Sequence, residues 1–291
     1  MRWLVTGAGG MLGHDVLAEL RARGEEVTPA GHDRLDITEP GSVQEAFAEH
    51  RPEIVVNCAA YTAVDDAERD EATALRVNGD GPRLLARACA THGARLVHLS
   101  TDYVFSGRSR TTPYPEDHPP APRTAYGRTK LAGEVAVREE LPDASVVLRT
   151  AWLYGVHGRN FVRTMIGLEA ERPTVDVVAD QRGQPTWSAD IAALVADLGP
   201  RVGTGVNGVL HATSSGETTW YDLAREVFLL LGADPDRVRP TDSAAHARPA
   251  PRPEYSVLAH GRWQSIGRPP PRDWRSALHE ALPRIRKESP S

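Results

Sequence analysis

A parallel, doubly wound α/β sheet carrying a smaller lobe after it is the fold class that the 291-residue sequence predicts. Three observations point to it. Strand-like and helix-like segments alternate through residues 1–150; the strand-like runs carry consecutive apolar residues; and a glycine-rich turn joins the first strand to the first helix. Strands buried on both faces need helices on both sides, and the chain supplies those helices between them.

"RWLVTG" is a short apolar run ending at glycine. "MLGHDVLAELRARGE" then repeats apolar residues at Met11, Leu12, Val16, Leu17 and Leu20 and stops at Gly24, which predicts a helix. A second strand around "EEVTPAG" should end near Gly31. "EIVVNCAA" (53–60) predicts a buried strand, "PRLLARACATHG" a helix, and "RLVHLST" (95–101) a strand. "AYGRTKLAGEVAVREEL" predicts a further helix and "SVVLRT" (145–150) a further strand. After residue 150 the rhythm weakens. Ten of the 23 prolines lie at or beyond Pro235, so that stretch is expected to be loops and short elements.

Composition narrows the function. With 40% hydrophobic residues the chain can bury a large core, and its length exceeds that of one ordinary domain. Lys and Arg number 34 against 39 Asp and Glu, giving a net charge of -5 and a pI near 6.1. That surface lacks the positive field needed to hold a nucleic-acid polymer. Cys58 and Cys89 have neither CxxC nor Cys/His spacing and read as buried thiols of a reducing compartment, not as a disulfide or a zinc site. No leader and no run of about 18 apolar residues stands out, so the expectation is a cytoplasmic chain outside any membrane.

What needs Gly7, Gly9, Gly10 and Gly13 to be bare? In a doubly wound sheet the first strand-to-helix turn faces the crevice at the carboxyl ends of the strands. There a helix N-terminus offers N–H groups and a positive dipole end. A pyrophosphate fits, and glycines let the backbone approach it. The spacing is Gly7-x-x-Gly10-x-x-Gly13, with Leu12 excluding the commoner G-x-G-x-x-G. We therefore expect a Rossmann-type dinucleotide-binding domain over 1–150. Residues 151–291 should be mainly a substrate-binding lobe, with some segments returning to the first domain.

Two further segments carry chemistry. Tyr126 and Lys130 stand at i and i+4 in "AYGRTKLAGE", which puts phenol and ammonium on one helix face. A neighbouring cation stabilises a phenolate, so Lys130 is expected to lower the Tyr126 pKa from about 10 towards working pH. "STDYVF" (100–105) places the Ser100 and Thr101 hydroxyls at the end of a buried strand, where active-site groups collect.

With these residues in place the sequence resembles the extended short-chain dehydrogenase/reductases, whose glycine spacing it shares, and within them the dTDP-4-dehydrorhamnose reductases. The likeness runs through "TGAGGMLG", "LDIT", "VVNCAAYTAVDDAE", "STDYVFSG", "AYGRTKLAGE", "RTAWLYG", "NFVRTM", "DQRGQPTW" and "RPEYSVL". It implies Thr101, Tyr126 and Lys130 as the catalytic trio. It implies cofactor contacts from Met11, Leu12, Asp36, Ile37, Ala60, Tyr61 and Thr62, beside the glycines Gly7, Gly10 and Gly13. It implies substrate contacts from Val64, Asp102, Tyr103 and Trp152. The reaction implied is reduction of the 4-keto group of a dTDP-linked 4-keto-6-deoxy sugar, the last step to dTDP-L-rhamnose.

Other assignments follow from charge. Arg248, Arg252, Arg262 and Arg268 lie in the basic C-terminal part, and Arg252 is the one expected to meet the substrate diphosphate. After the second strand, Asp33 suits a free ribose 2′-OH, whereas Arg34 suits a 2′-phosphate. The guanidinium contact is the stronger, so NADPH is expected, with NADH accepted. Similar reductases hold magnesium between two subunits through acidic residues. Here Ala189 stands where a Glu would, so no metal is expected and Asp15 reads as a solvated helix residue; the chain is expected to be a monomer or a homodimer. Two alternatives remain: a 4-ketoreductase for another dTDP-deoxysugar of secondary metabolism, and a non-catalytic NADP-binding chain resembling the regulatory subunit of methionine adenosyltransferase.

Overall fold

The computed structural model describes residues 1–108, 111–246 and 248–287. Through the first half run β1 (Arg2–Thr6), α1 (Met11–Ala22), β2 (Glu26–Ala30), α2 (Pro40–His50) and β3 (Ile54–Asn57). Then follow α3 (Val64–Ala67), α4 (Glu71–Leu75), α5 (Gly81–His92), β4 (Arg95–Thr101), α6 (Ala125–Glu140) and β5 (Ser145–Thr150). The second half contributes β6 (Leu153–Tyr154), α7 (Phe161–Glu171), β7 (Val175–Val178), β8 (Arg182–Gly183), β9 (Thr186–Trp187) and α8 (Ser188–Leu198). It ends with β10 (Gly208–His211), β11 (Thr218–Thr219), α9 (Trp220–Leu230), β12 (Val238–Thr241), α10 (Gly261–Ser265) and α11 (Trp274–Lys287).

Six strands form one sheet in the order β10-β5-β4-β3-β1-β2, every pair parallel. The chain leaves β1 towards β2 and then returns to β3 on the other side of β1. That reversal is the switch point at which such sheets bind ligands. The two-residue period of a strand sorts its side chains between two cores. Trp3, Val5, Ile54, Val56, Val97, Leu99, Val146 and Leu148 pack under α1 and α8, whereas Leu4, Val55, Leu96 and Val147 pack under α2, α5 and α6. This double burial is why the strands read as runs of consecutive apolar residues.

A third cluster fills the lobe, where α7, α9 and α11 close over Tyr154, Val177, Trp187 and Val238. Strand β10 pairs with β5 in the large sheet, and α8 packs against α1, so the chain crosses between lobe and sheet more than once. The expectation of only short elements beyond Pro235 is corrected here. Helix α11 has 14 residues and carries Pro283 inside it. Its stripe of Trp274, Ala277, Leu278, Ala281, Leu282 and Ile285, spaced three and four apart, buries a full apolar face, which offsets the hydrogen bond that proline removes.

Candidate active site

The glycine turn between β1 and α1 answers the question its sequence raises in two parts. Gly7 has φ +62°, and a Cβ there would lie 2.6 Å from the Ala59 nitrogen just beyond β3; a Cβ on Gly13 would lie 2.3 Å from the Gly7 carbonyl. These two glycines are bare because the turn folds onto its own backbone and onto the neighbouring strand. Around Gly9 there is open space. Helix α1 follows Gly10, whose N–H donates to the Gly7 carbonyl at 2.9 Å, and it has no side-chain cap, so the N–H groups of its first turn lack intrahelical partners. A pyrophosphate fits this cradle. Met11 and Leu12 open the helix, and Ala60, Tyr61 and Thr62 follow β3 beside it.

Beyond β2, Ile37 is buried and packs against Gly81, whereas Asp33 and Arg34 are exposed. The Asp36 carboxylate accepts from the Thr38 N–H and hydroxyl, at 2.9 and 2.7 Å, and those bonds hold its pKa below the usual carboxylate range.

The catalytic candidates meet at the carboxyl edge of β4. Thr101 ends the strand, its hydroxyl donating to the Asp102 carboxylate at 3.1 Å and accepting from the Tyr103 N–H at 3.2 Å. Helix α6 starts at a Thr124 cap, which accepts from the Gly127 N–H, and its first turn brings the Tyr126 phenol into hydrogen-bonding reach of the Thr101 hydroxyl. The ring of Tyr103 meets that of Tyr126 edge-on, centroids 5.5 Å apart.

The electrostatics correct one expectation. Burial raises the Tyr126 phenol to about 12; the Thr101 hydroxyl, in hydrogen-bonding reach, works against that rise, and the Asp102 charge adds to it. Lys130 does not depress it. The Lys130 ammonium donates to the Leu99 carbonyl at 2.7 Å, and burial brings its own pKa down to about 8. Desolvation outweighs the pairing that the i, i+4 spacing suggested. Asp102 is pushed up to about 6 by burial, against the Ser256 and Thr101 hydroxyls, which favour its charged form.

Arg252 and Asp15 each have a partner in the structure. The Arg252 guanidinium is engaged with Asp65, at 3.0 and 2.7 Å, next to Val64, so meeting a diphosphate requires Asp65 to share it. Arg248 reaches the same carboxylate at 3.7 Å; Arg268 pairs with Asp197, and Arg262 donates to backbone carbonyls around β10. Asp15 is half-buried and accepts from the Ser188 hydroxyl at the start of α8, not solvated, because α1 and α8 pack together. Among the described residues no group of three His, Cys, Asp or Glu could hold a metal ion, both cysteines are free, and no helix is long and apolar enough to cross a membrane.

Trp152 stands two residues past Thr150, which pairs in register with Thr101. Its φ is 47°, a left-handed backbone that costs a bulky side chain about 1–3 kcal/mol and collects at functional sites. The indole is stacked on Trp220, centroids 3.6 Å apart and planes 9° off parallel.

Sequence reasoning missed three supports of the site. Asn78 is buried; it accepts from the Tyr61 N–H and donates to the Tyr61 carbonyl and the Thr129 hydroxyl, tying the loop after β3 to α6. Glu134 takes Ser100 and Arg149 together. Trp220 is the third. Each sits in a segment that reads as ordinary helix or turn, and only "RVNGDG", polar where a helix continues, gave any signal.

Comparison with known proteins gives the family. The RmlD substrate binding domain family matches residues 1–287. A probable dTDP-4,6-dihydroxy-2-methyloxan-3-one 4-ketoreductase of Streptomyces antibioticus is 62% identical over 98% of this chain and 96% of its own length. A dTDP-4-dehydrorhamnose reductase of Streptomyces griseus is 58% identical over 98% and 94%. The crystal structure of the Bacillus anthracis dTDP-4-dehydrorhamnose reductase in complex with NADP superposes with a TM-score of 0.91 at 38% identity, covering 99% of both chains.

Proposed function

The chain belongs to the RmlD substrate binding domain family, that of the dTDP-4-dehydrorhamnose reductases, and from that premise we propose that it reduces the 4-keto group of a dTDP-4-keto-6-deoxyhexose with NADPH, accepting NADH. The substrate proposed first is dTDP-4-dehydrorhamnose, giving dTDP-L-rhamnose. The observation that carries this is the meeting of Thr101 and Tyr126 at the carboxyl edge of the sheet, next to an uncapped helix N-terminus across a glycine turn.

The bound nicotinamide supplies a hydride. The chain's own groups do the rest. Tyr126 is a neutral phenol at working pH and donates its proton to the ketone oxygen as negative charge develops there. Thr101 gives that oxygen a second hydrogen bond. Lys130, on the same face of α6, would hold the nicotinamide ribose. Gly7, Gly10, Met11, Leu12 and Gly13 receive the cofactor diphosphate, and Arg34 and Asp36 the adenosine ribose, with Ile37, Ala60, Tyr61 and Thr62 around it. Val64, Asp102, Tyr103 and Trp152 border the sugar, and Arg252 the substrate diphosphate.

A second reading has its own support: the 62% identical relative is named a ketoreductase for a different dTDP-sugar. The two readings share the chemistry and differ in which face of the ketone meets the hydride. Product analysis with dTDP-4-keto-6-deoxyhexoses of both C3 and C5 configurations separates them. Turnover of neither overturns both and leaves the non-catalytic chain.

A further inference from the structure

The strained backbone of Trp152 is not held by its own strand. Strand β5 ends at Thr150, and β6 begins at Leu153 by pairing with β9, so Trp152 falls in the bend between sheet and lobe. Its carbonyl accepts from the Thr186 N–H at 3.2 Å. Two other elements fix its indole. Trp220, the first residue of α9, covers one face, and Phe161 braces Trp220 from the side with centroids 4.6 Å apart. Gly183 on β8 takes the edge: a Cβ there would lie 2.5 Å from the indole Cε2 and 2.8 Å from its nitrogen. Strands β8 and β11 pair antiparallel, so Gly183 and Thr219, the residue before Trp220, belong to one small ribbon. A cavity of about 450 Å³, lined in part by Arg182, Thr219 and Tyr255, opens beside that ribbon.

We propose that Trp220 and Gly183 are positioning residues that lock Trp152 in a single pose, so that its remaining face stacks on the sugar ring of the substrate. The proposal rests on the functional reading above. A stacked pair keeps a flat apolar wall at fixed height, and the missing side chain at position 183 lets the wall stand upright. An indole free to turn would lose ordering entropy on binding, and the loss would fall on substrate affinity and not on the proton donor. Sugars present one apolar C–H face to such a wall.

The experiment compares Trp220→Ala, Trp220→Phe and Gly183→Ala with wild type, using the dTDP-4-keto sugar for kinetics and NADPH titration for cofactor binding. Expected is a KM for the sugar raised about tenfold in Trp220→Ala and Gly183→Ala, with kcat and cofactor affinity within about twofold of wild type, and most of the loss recovered in Trp220→Phe. Gly183→Ala removes no aromatic surface, so a raised KM there speaks for pose and not for lost contact area. If Trp220→Ala does not fold, Gly183→Ala and Trp220→Phe decide. An unchanged sugar KM in Gly183→Ala, or equal losses in sugar and cofactor affinity, overturns the proposal. A wild-type enzyme that turns over no dTDP-4-keto sugar overturns the functional reading first, which separates the two failures.

Discussion

Glu134 and Arg149 form an ion pair almost wholly shut off from water, 2.7 Å between oxygen and nitrogen, with 2% and 3% of their side chains exposed. Glu134 lies one helical turn after Lys130 on α6, and Arg149 lies next to the last residue of β5. The same carboxylate accepts from the Ser100 hydroxyl at 2.5 Å on β4. One side chain thus fixes the helix bearing Tyr126 and Lys130 against both strands that frame the site.

Breaking that pair from one side strands a buried charge. Glu134→Ala is expected to cost about 3–5 kcal/mol of stability, read by urea denaturation, whereas Glu134→Leu combined with Arg149→Met should recover much of it. A single variant as stable as wild type would show that water reaches Arg149 in solution.

Tyr126→Phe keeps the ring and removes only the proton donor. Ketone reduction is expected to fall by about 10²–10⁴ with NADPH affinity unchanged, measured by steady-state kinetics and cofactor titration. Near-normal turnover would remove Tyr126 from the mechanism.

Asp102 gives a pH signature. Its folded pKa is raised to about 6 from 3.8, so the folded protein binds a proton more readily than the unfolded chain between those values. Stability from this group is present at low pH and is lost as pH rises through 6. Asp102→Asn, uncharged throughout, is therefore expected to stabilise the protein by roughly 3 kcal/mol at pH 7.5, with the gain shrinking towards zero as pH falls to 4. A gain that stays constant from pH 7.5 to 4 would assign it to packing.

Arg34 is exposed beyond β2, where a cofactor 2′-phosphate would come. Wild type is expected to use NADPH with the higher kcat/KM, and Arg34→Ala to lose about tenfold of that with NADPH and little with NADH. A wild-type preference for NADH excludes this role.

The sheet was legible because its cause is local. Strand β4 runs over the very residues of "RLVHLST", and β5 over "SVVLRT", since a strand covered on both faces carries consecutive apolar residues in place of a polar alternation. Helix α11 was not legible. Proline density argued against it, and its stripe stabilises a helix only once α7 and α9 supply a surface to cover.

In the site, residue types and spacings were readable and their relations were not. The chain by itself determined the alternation of strands and helices, the glycine turn, and the placement of Tyr126 and Lys130 on one helix face, all of them consequences of period and of backbone freedom within a few residues. Tertiary structure alone decided that Lys130 turns to the Leu99 carbonyl, that Arg252 is held by Asp65 from 187 residues away, and that Trp152 leans on Trp220. Burial sets these, because the cost of removing a charge or an indole from water depends on what the rest of the chain packs around it, and no window of sequence contains that.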